Sequence, residues 1–459
     1  MEEVKQENKM GVMPEGKLLF NMSAPIIISM LIQALYNIVD SIFVGMYDPE
    51  KNYALAAVNL AFPIQSLMIS FSVGTSVGVA SYLSRSLGQK NYKDANLTAV
   101  NGIFLSVITC FVFAVFGWFF APVYYRFQSA VPEIIEYGVV YVRIVTVCSI
   151  GIFLAVVLER LLQSTGRTIY NMYTQGIGAI TNIIFDYLLI FGIGPFPRLG
   201  VAGAAVATVL GQVIGAVLGL FFNIYKNKEI NISIRGFRPS GRIIKQIYIV
   251  GLPSIVMQSV TSLLTMALNK ILTLNPNELE ITAGQNVLGA YYKLQSFIFM
   301  PIFGLNNAMV PIIAFNYGAK NKKRIMKTYC LALVVAFIYM FLGMLAFMLI
   351  PEQLLSLFSL SPLAVGIGKQ ALRIISVSFL FAAFSIISVS AFQALGNGVY
   401  SMLNSLSRQV IVILPSAYIL FKTLGVYYIW YAFPLAEVVS VILCAVFITR
   451  IYNRKLKNL

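Results

Sequence analysis

The chain has 459 residues, 59% of them hydrophobic and 11% charged, with a net charge of +16 and no His. A water-soluble domain carries about 25% charged residues, so this composition excludes an ordinary soluble enzyme, a nucleic-acid-binding domain and a disordered chain, and leaves a polytopic membrane protein. The excess of Lys and Arg is then the loop bias of a membrane protein, and the absence of His excludes a His proton relay, a His metal site and a Ser-His triad.

Residues 1–17 mix Glu and Lys, and the apolar run behind them outlasts a signal-peptide core, so no cleavable leader is expected. Runs of about 20 apolar residues predict twelve membrane helices. Spans 1–6 fall at 18–43, 53–84, 97–120, 134–162, 169–192 and 200–225, and spans 7–12 at 243–274, 285–317, 325–350, 366–394, 399–421 and 425–450.

Span 1 carries Pro25 and a polar stripe of Ser29, Gln33, Asn37 and Asp40, spaced 4, 4 and 3 apart. Gly74 and Gly78 in span 2 are spaced for close helix packing. Glu159 and Arg160 end span 4, where a structural pair or a gate competes with a coupling role. Gln175, Asn182 and Asp186 in span 5 share one helical face, and Thr208 and Gln212 share one in span 6 beside the small-residue stripe Gly211, Gly215 and Gly219. Residues 226–242 form a basic linker between an N-lobe (1–225) and a C-lobe (243–459). Pro253 lies inside span 7, Lys293 in span 8, Arg373 in span 10 and Glu437 in span 12. Pro25 and Pro253 each remove a backbone bond and are candidate hinges. The four cysteines stand singly in apolar runs, without metal-ligand spacing or an expected disulfide.

With both termini on one side, that side collects 24 of the 33 Lys and Arg, from Lys5 through the linker to Arg408 and the C-terminal tail. The other side holds six, Lys51 among them. This bias places both termini in the cytoplasm.

The halves also repeat. Gly88-Gln89-Lys90-Asn91-Tyr92-Lys93 returns as Gly318-Ala319-Lys320-Asn321-Lys322-Lys323, and Gln163, Gly166, Tyr170 and Met172 return as Gln393, Gly396, Tyr400 and Met402, all 230 residues on. Pro25 returns as Pro253. Six spans per copy make the repeats parallel, a transporter architecture with its site at the interface of the halves.

An acid at a helix centre costs roughly 2.5–3.5 kcal/mol on insertion scales. Asp40, Glu159, Asp186 and Glu437 therefore need a cavity, a partner, a proton or a cation. The stripes of spans 1, 5 and 6 can converge. Two carboxylates with amide and hydroxyl oxygens make a hard-oxygen Na⁺ site, and the same pair, dry and close, makes a proton carrier. The plainer alternative is that these groups only bond helices together. Lys293 either pairs with Glu437 or meets an anionic substrate group.

The span holding Pro25 and Asp40, the Glu159-Arg160-x-x-Gln163-x-x-Gly166 turn, the Asn182-x-x-x-Asp186 pair and the Gly200-x-x-Gly203-Ala204-Ala205-x-Ala207-Thr208 start of span 6 resemble the multidrug and toxic compound extrusion (MATE) family, including its bacterial MepA-like and DinF-like branches. The resemblance covers nearly the whole chain. It implies two six-helix lobes in a V, alternating access, and a monomeric antiporter, not an enzyme, that exports small organic molecules against inward Na⁺ or H⁺ with no cofactor. It also implies a cation site at Asp40, Asn182, Asp186 and Thr208, and bending at Pro25. Gln33, Asn37, Glu159, Gln175, Gln212, Lys293 and Glu437 are substrate or gating candidates. The NorM-like branch has an acid in the seventh span that is missing here, so coupling is expected in the N-lobe. The basic Lys293 and Arg373 depart from a cavity built for cations alone. A flippase or exporter of a lipid or anionic lipid-linked substrate is the competing reading.

Overall fold

The computed structural model describes residues 8–48, 53–233, 235–358, 360–457 and 459; Lys5 and Lys51 of the charge count lie outside the described residues. A short helix, Lys9–Val12, precedes span 1 at Glu15–Tyr47, span 2 at Tyr53–Gly88 and span 3 at Tyr92–Gln128. Span 4 is two helices, Pro132–Val147 and Ile150–Ser164, and spans 5 and 6 are Ile169–Phe191 and Val201–Tyr225. The second half repeats this plan with span 7 at Gly241–Leu272, span 8 at Glu278–Gly318, span 9 at Lys322–Leu349, a broken span 10 at Pro362–Ser376 and Ser378–Ala394, span 11 at Gly398–Leu424 and span 12 at Ile429–Leu456. Among the described residues ten helices are long and apolar enough to cross a membrane, and counting each of the two bent pairs as one span gives twelve. Their outward residues are apolar, as at Phe111, Phe119, Val217 and Leu263, which suits a surface solvated by lipid.

Spans 4 and 10 differ from the single helices expected. They bend by 45° and 49° at breaks that contain no proline. The freed groups are satisfied locally, as where Cys148 N–H donates to the Ile144 carbonyl, so the sequence carries no breaker there. Pro25 and Pro253 instead sit inside unbroken helices, as do Pro63, Pro122, Pro301 and Pro311. The missing proline N–H costs one bond, and packing carries the helix through.

The repeat is visible in the backbone. Lys90 and Lys320, 230 residues apart, both take a left-handed turn, with φ of 58° and 57°. Asn91 and Asn321 then cap spans 3 and 9 by accepting the backbone N–H of Asp94 and Arg324. Arg143 Nε donates to the Trp118 carbonyl at 3.2 Å, and Arg373 Nε to the Met348 carbonyl at 3.3 Å, again 230 residues on at both ends. Arg143 is half-buried and Arg373 exposed, neither lines the cavity, and Arg373 is not the cavity base that the sequence suggested.

Spans 1–6 pack on one another, as do spans 7–12, and the halves meet where span 2 lies against spans 7 and 8 and span 1 against span 8. Glycines set the approach. A Cβ at Gly88 would strike the Phe315 carbonyl and one at Gly318 the Arg85 carbonyl, a reciprocal contact of equivalent residues. Gly78 lies as tightly on Ile247, and Gly74 on Ile255. Asn316 donates to the Met10 carbonyl at 3.0 Å and Lys322 to the Lys457 carbonyl at 3.2 Å, so the two chain ends lie at this same end of the bundle.

Candidate functional site

Between the halves lies a cavity of about 1010 Å³, lined by spans 1, 2, 4, 5 and 6 from one side and 7, 8, 10 and 11 from the other. Met30, Phe62, Met257 and Phe303 give it apolar walls, and Ser66 and Ser262 meet across it at 2.8 Å between their hydroxyls.

The polar stripes of the N-lobe do converge. The carboxyl groups of Asp40 and Asp186 are in hydrogen-bonding contact. Asp186 is fully buried, and one oxygen of each carboxyl, Oδ1, has no partner. Asn182 stands one turn before Asp186 on span 5. With its amide turned to match its neighbours, its Nδ2 donates to Asp186 Oδ2 at 3.2 Å and its Oδ1 accepts from the Thr208 backbone N–H at 3.2 Å. Asn182 and Thr208 line the cavity, and the two acids lie behind them. This is a cluster of oxygen atoms with spare acceptor capacity, reached from the cavity through an amide and a hydroxyl. Such a set fits either a hard monovalent cation or a proton shared by the carboxyls.

Span 1 contributes differently from the stripe read in the sequence. Gln33 and Tyr36 line the cavity, and Tyr36 and Tyr141 stand within electrostatic reach of Asp40. Asn37 is exposed and does not line the cavity, because Tyr36, one turn before Asp40, occupies the inward face. Tyr141 accepts a bond from Gln65 at 3.1 Å. Neither tyrosine was singled out by spacing, although Tyr36 has the i, i+4 relation to Asp40. Gln212 lines the cavity with its Oε1 unpartnered.

Glu159 and Arg160 are not partners. Glu159 accepts two bonds from Gln175 Nε2, at 2.8 and 3.0 Å, and one from Thr174 Oγ1 at 3.0 Å. Arg160 turns the other way and donates to Gln163 Oε1 and to Asn307 Oδ1 of span 8, each at 2.9 Å. The first set ties span 4 to span 5, and the second ties the two halves together in the cavity wall.

In the C-lobe, Glu437 pairs with Arg408 at 2.8 Å, not with Lys293. Arg408 had been counted among cytoplasmic loop charges. It sits inside span 11 on the π-helical segment Ser407–Ile413 and lines the cavity, so it leaves the loop count, as does the buried Arg160. An intramembrane acid takes the base that its own bundle presents, and span 11 presents Arg408. Lys293 lines the cavity, exposed, with its ammonium 5.9 Å from the Phe358 ring centre. The Pro25 carbonyl accepts the Ser29 hydroxyl at 2.7 Å, and neither Pro25 nor Pro253 lines the cavity.

A family model described as MatE matches residues 25–188 and again 253–419. The chain is 26% identical to "Multidrug export protein MepA" of Staphylococcus haemolyticus over 95% of its length and 94% of that protein. It is 25% identical to a "FAD transporter" of Shewanella oneidensis, covering 94% of each chain. Its structure superposes on a multidrug resistance MATE family transporter of the MOP superfamily in its outward-facing conformation with a TM-score of 0.88, at 27% identity and 98% coverage of both chains. The double family match reproduces the internal repeat, and its first segment spans Asp40 and Asp186. The chain belongs to the MatE family and is a multi-pass membrane transporter, not an enzyme.

Proposed function

We propose that this protein exports small organic molecules across the cytoplasmic membrane by antiport, coupled to Na⁺ or H⁺ at Asp40, Asn182, Asp186 and Thr208. The observation that carries this reading is the pair of contacting carboxyl groups, Asp186 buried and Asp40 half-buried, each with an unpartnered oxygen, placed just behind the wall of a large cavity between two repeated bundles. Two acids this close hold one positive charge far better than none, so their occupancy responds to the cation gradient. Movement of one charge across 100 mV supplies about 2.3 kcal/mol.

In this reading the N-lobe ends at residue 225, residues 226–242 are a cytoplasmic linker, and both termini face the cytoplasm. The glycine-packed end, where the termini lie, is then the closed cytoplasmic side, and the cavity faces outward. Cation binding at Asp40 and Asp186 favours release of substrate outward, and cation release inside resets the cycle. Pro25 and Pro253 are the proposed hinges, and the transporter works as a monomer. The test is ethidium transport in proteoliposomes with a Na⁺ gradient or a pH gradient imposed separately. One gradient should drive transport in the wild type, and Asp186→Asn should abolish it with folding intact. Full driven transport by the variant would refute the site.

A further inference from the structure

We propose that the C-lobe wall of the cavity binds an anionic group of the substrate, a carboxylate or a phosphate, on Lys293 and Arg408. This names the substrate chemistry of the exporter proposed above and depends on that reading only for the transport step.

Lys293 lies five residues from the middle of the 41-residue span 8 and lines the cavity. Among the described residues no carboxylate is within ion-pairing distance of it, and its recorded neighbour is the Phe358 ring. An ionisable group inside a membrane span faces a partner or a water-filled cavity and marks a functional position. Lys293 has no carboxylate partner in the cavity wall, which leaves its ammonium open to an anion in the cavity.

Arg408 gives one nitrogen, Nη1, to Glu437. Its guanidinium has five N–H donors, and its other nitrogens have no protein acceptor among the described residues. Arg408 lines the cavity while Glu437 stands behind it, so the acid fixes the guanidinium and leaves its remaining edge facing the space. The π-helical segment Ser407–Ile413 that carries Arg408 is a distortion found mostly at functional positions. A fork of N–H groups and an ammonium lining the same cavity suit an oxyanion.

The opposite wall is built differently. Glu159 accepts bonds from Gln175 and Thr174, and Arg160 uses Nη1 to bridge Gln163 and Asn307 across the halves. The C-lobe wall offers Lys293 without a carboxylate partner and Arg408 with one nitrogen committed to Glu437.

The test is equilibrium binding to the purified full chain, with no gradient present. The ligands are carboxyfluorescein, an NBD-labelled phosphatidylglycerol, and ethidium as the cationic control. The wild type should bind at least one of the two anions saturably. Lys293→Gln should weaken that binding about tenfold, the loss expected for one charged hydrogen bond, and leave ethidium within about twofold. Arg408→Lys keeps a partner for Glu437, so the protein folds, and should weaken the same anion. Preference for carboxyfluorescein identifies a free organic anion, and preference for the lipid identifies an anionic headgroup. Absence of anion binding by the wild type, wild-type binding by Lys293→Gln, or an equal loss of ethidium would overturn the proposal. Retained anion binding without driven transport would refute the exporter reading alone.

Discussion

Asp94 and Arg324 occupy equivalent positions in the two halves, 230 residues apart, and carry opposite charges. Each follows an asparagine cap by three residues. Each also reaches across to the other half. Asp94 accepts two bonds from Arg242, at 2.6 and 3.0 Å, and Arg324 lies 3.6 Å from Glu15, which Lys327 also meets at 2.9 Å. The start of span 3 is thereby tied to span 7 and the start of span 9 to span 1. Both ties lie at the end of the bundle where the glycines bring the halves together.

Reversing one of these charges should open that end. Asp94→Arg should lengthen the distance between spin labels at the exposed positions Lys93 and Lys323, in a background lacking the four native cysteines. Asp94→Arg combined with Arg242→Asp should restore the short distance. An unchanged distribution in the single variant would show that the ion pair does not hold the halves.

The glycine contacts make a separate prediction about stability. Gly88→Ala places a methyl group against the Phe315 carbonyl, and Gly78→Ala places one against Ile247. Overpacking of this kind costs about 1–3 kcal/mol. Each variant should therefore unfold at a lower temperature in detergent. Gly289→Ala meets nothing within 4 Å and should match or exceed the wild type.

Glu437 depends on Arg408 for its charge partner, and its Oε2 is already unpartnered. Arg408→Gln leaves a carboxylate buried without a counter-ion and should cost about 3 kcal/mol. Removing the charge from both, with Arg408→Gln and Glu437→Gln together, should recover most of that loss. Thermal unfolding of the three proteins measures it. A double variant no better than the single would mean that the guanidinium stabilises span 11 by packing.

Gln175→Leu takes two donors from Glu159 and leaves the Thr174 bond. The under-bonded buried carboxylate should cost about 1–3 kcal/mol. Adding Glu159→Leu to Gln175→Leu should return stability toward that of the wild type, again read by thermal unfolding.

How much of this was legible in the sequence depends on the range of the interaction. Asn182 with Asp186 is a one-turn relation on a single helix, and helical spacing is enough to find it. Asp40 and Thr208 join them because each belongs to a polar position on an otherwise apolar span, and such positions turn away from lipid. The spacing argument failed at Asn37, where Tyr36 takes the inward place; a tyrosine reads as apolar in a pattern although its hydroxyl serves a polar site. Arg408 was missed as the partner of Glu437 because a base near a span end counts as a loop charge when depth is unknown. The Arg160–Asn307 bond joins residues 147 positions apart, and no local pattern carries it. The breaks in spans 4 and 10 hold no proline and are bridged by local backbone bonds and by hydroxyls such as Ser376 and Ser378, which donate to the Arg373 and Ile375 carbonyls, so no proline marks them in the sequence.

The most direct test of the central claim is to drive the cycle backward. A substrate gradient imposed on proteoliposomes, with no ion gradient, should move Na⁺ or H⁺ in the opposite direction, followed by radioactive Na⁺ or by an internal pH dye. The account predicts cation movement in fixed ratio to substrate in the wild type, and its loss in both Asp40→Asn and Asp186→Asn. Substrate movement with no cation movement in the wild type, or undiminished exchange in either variant, would contradict it.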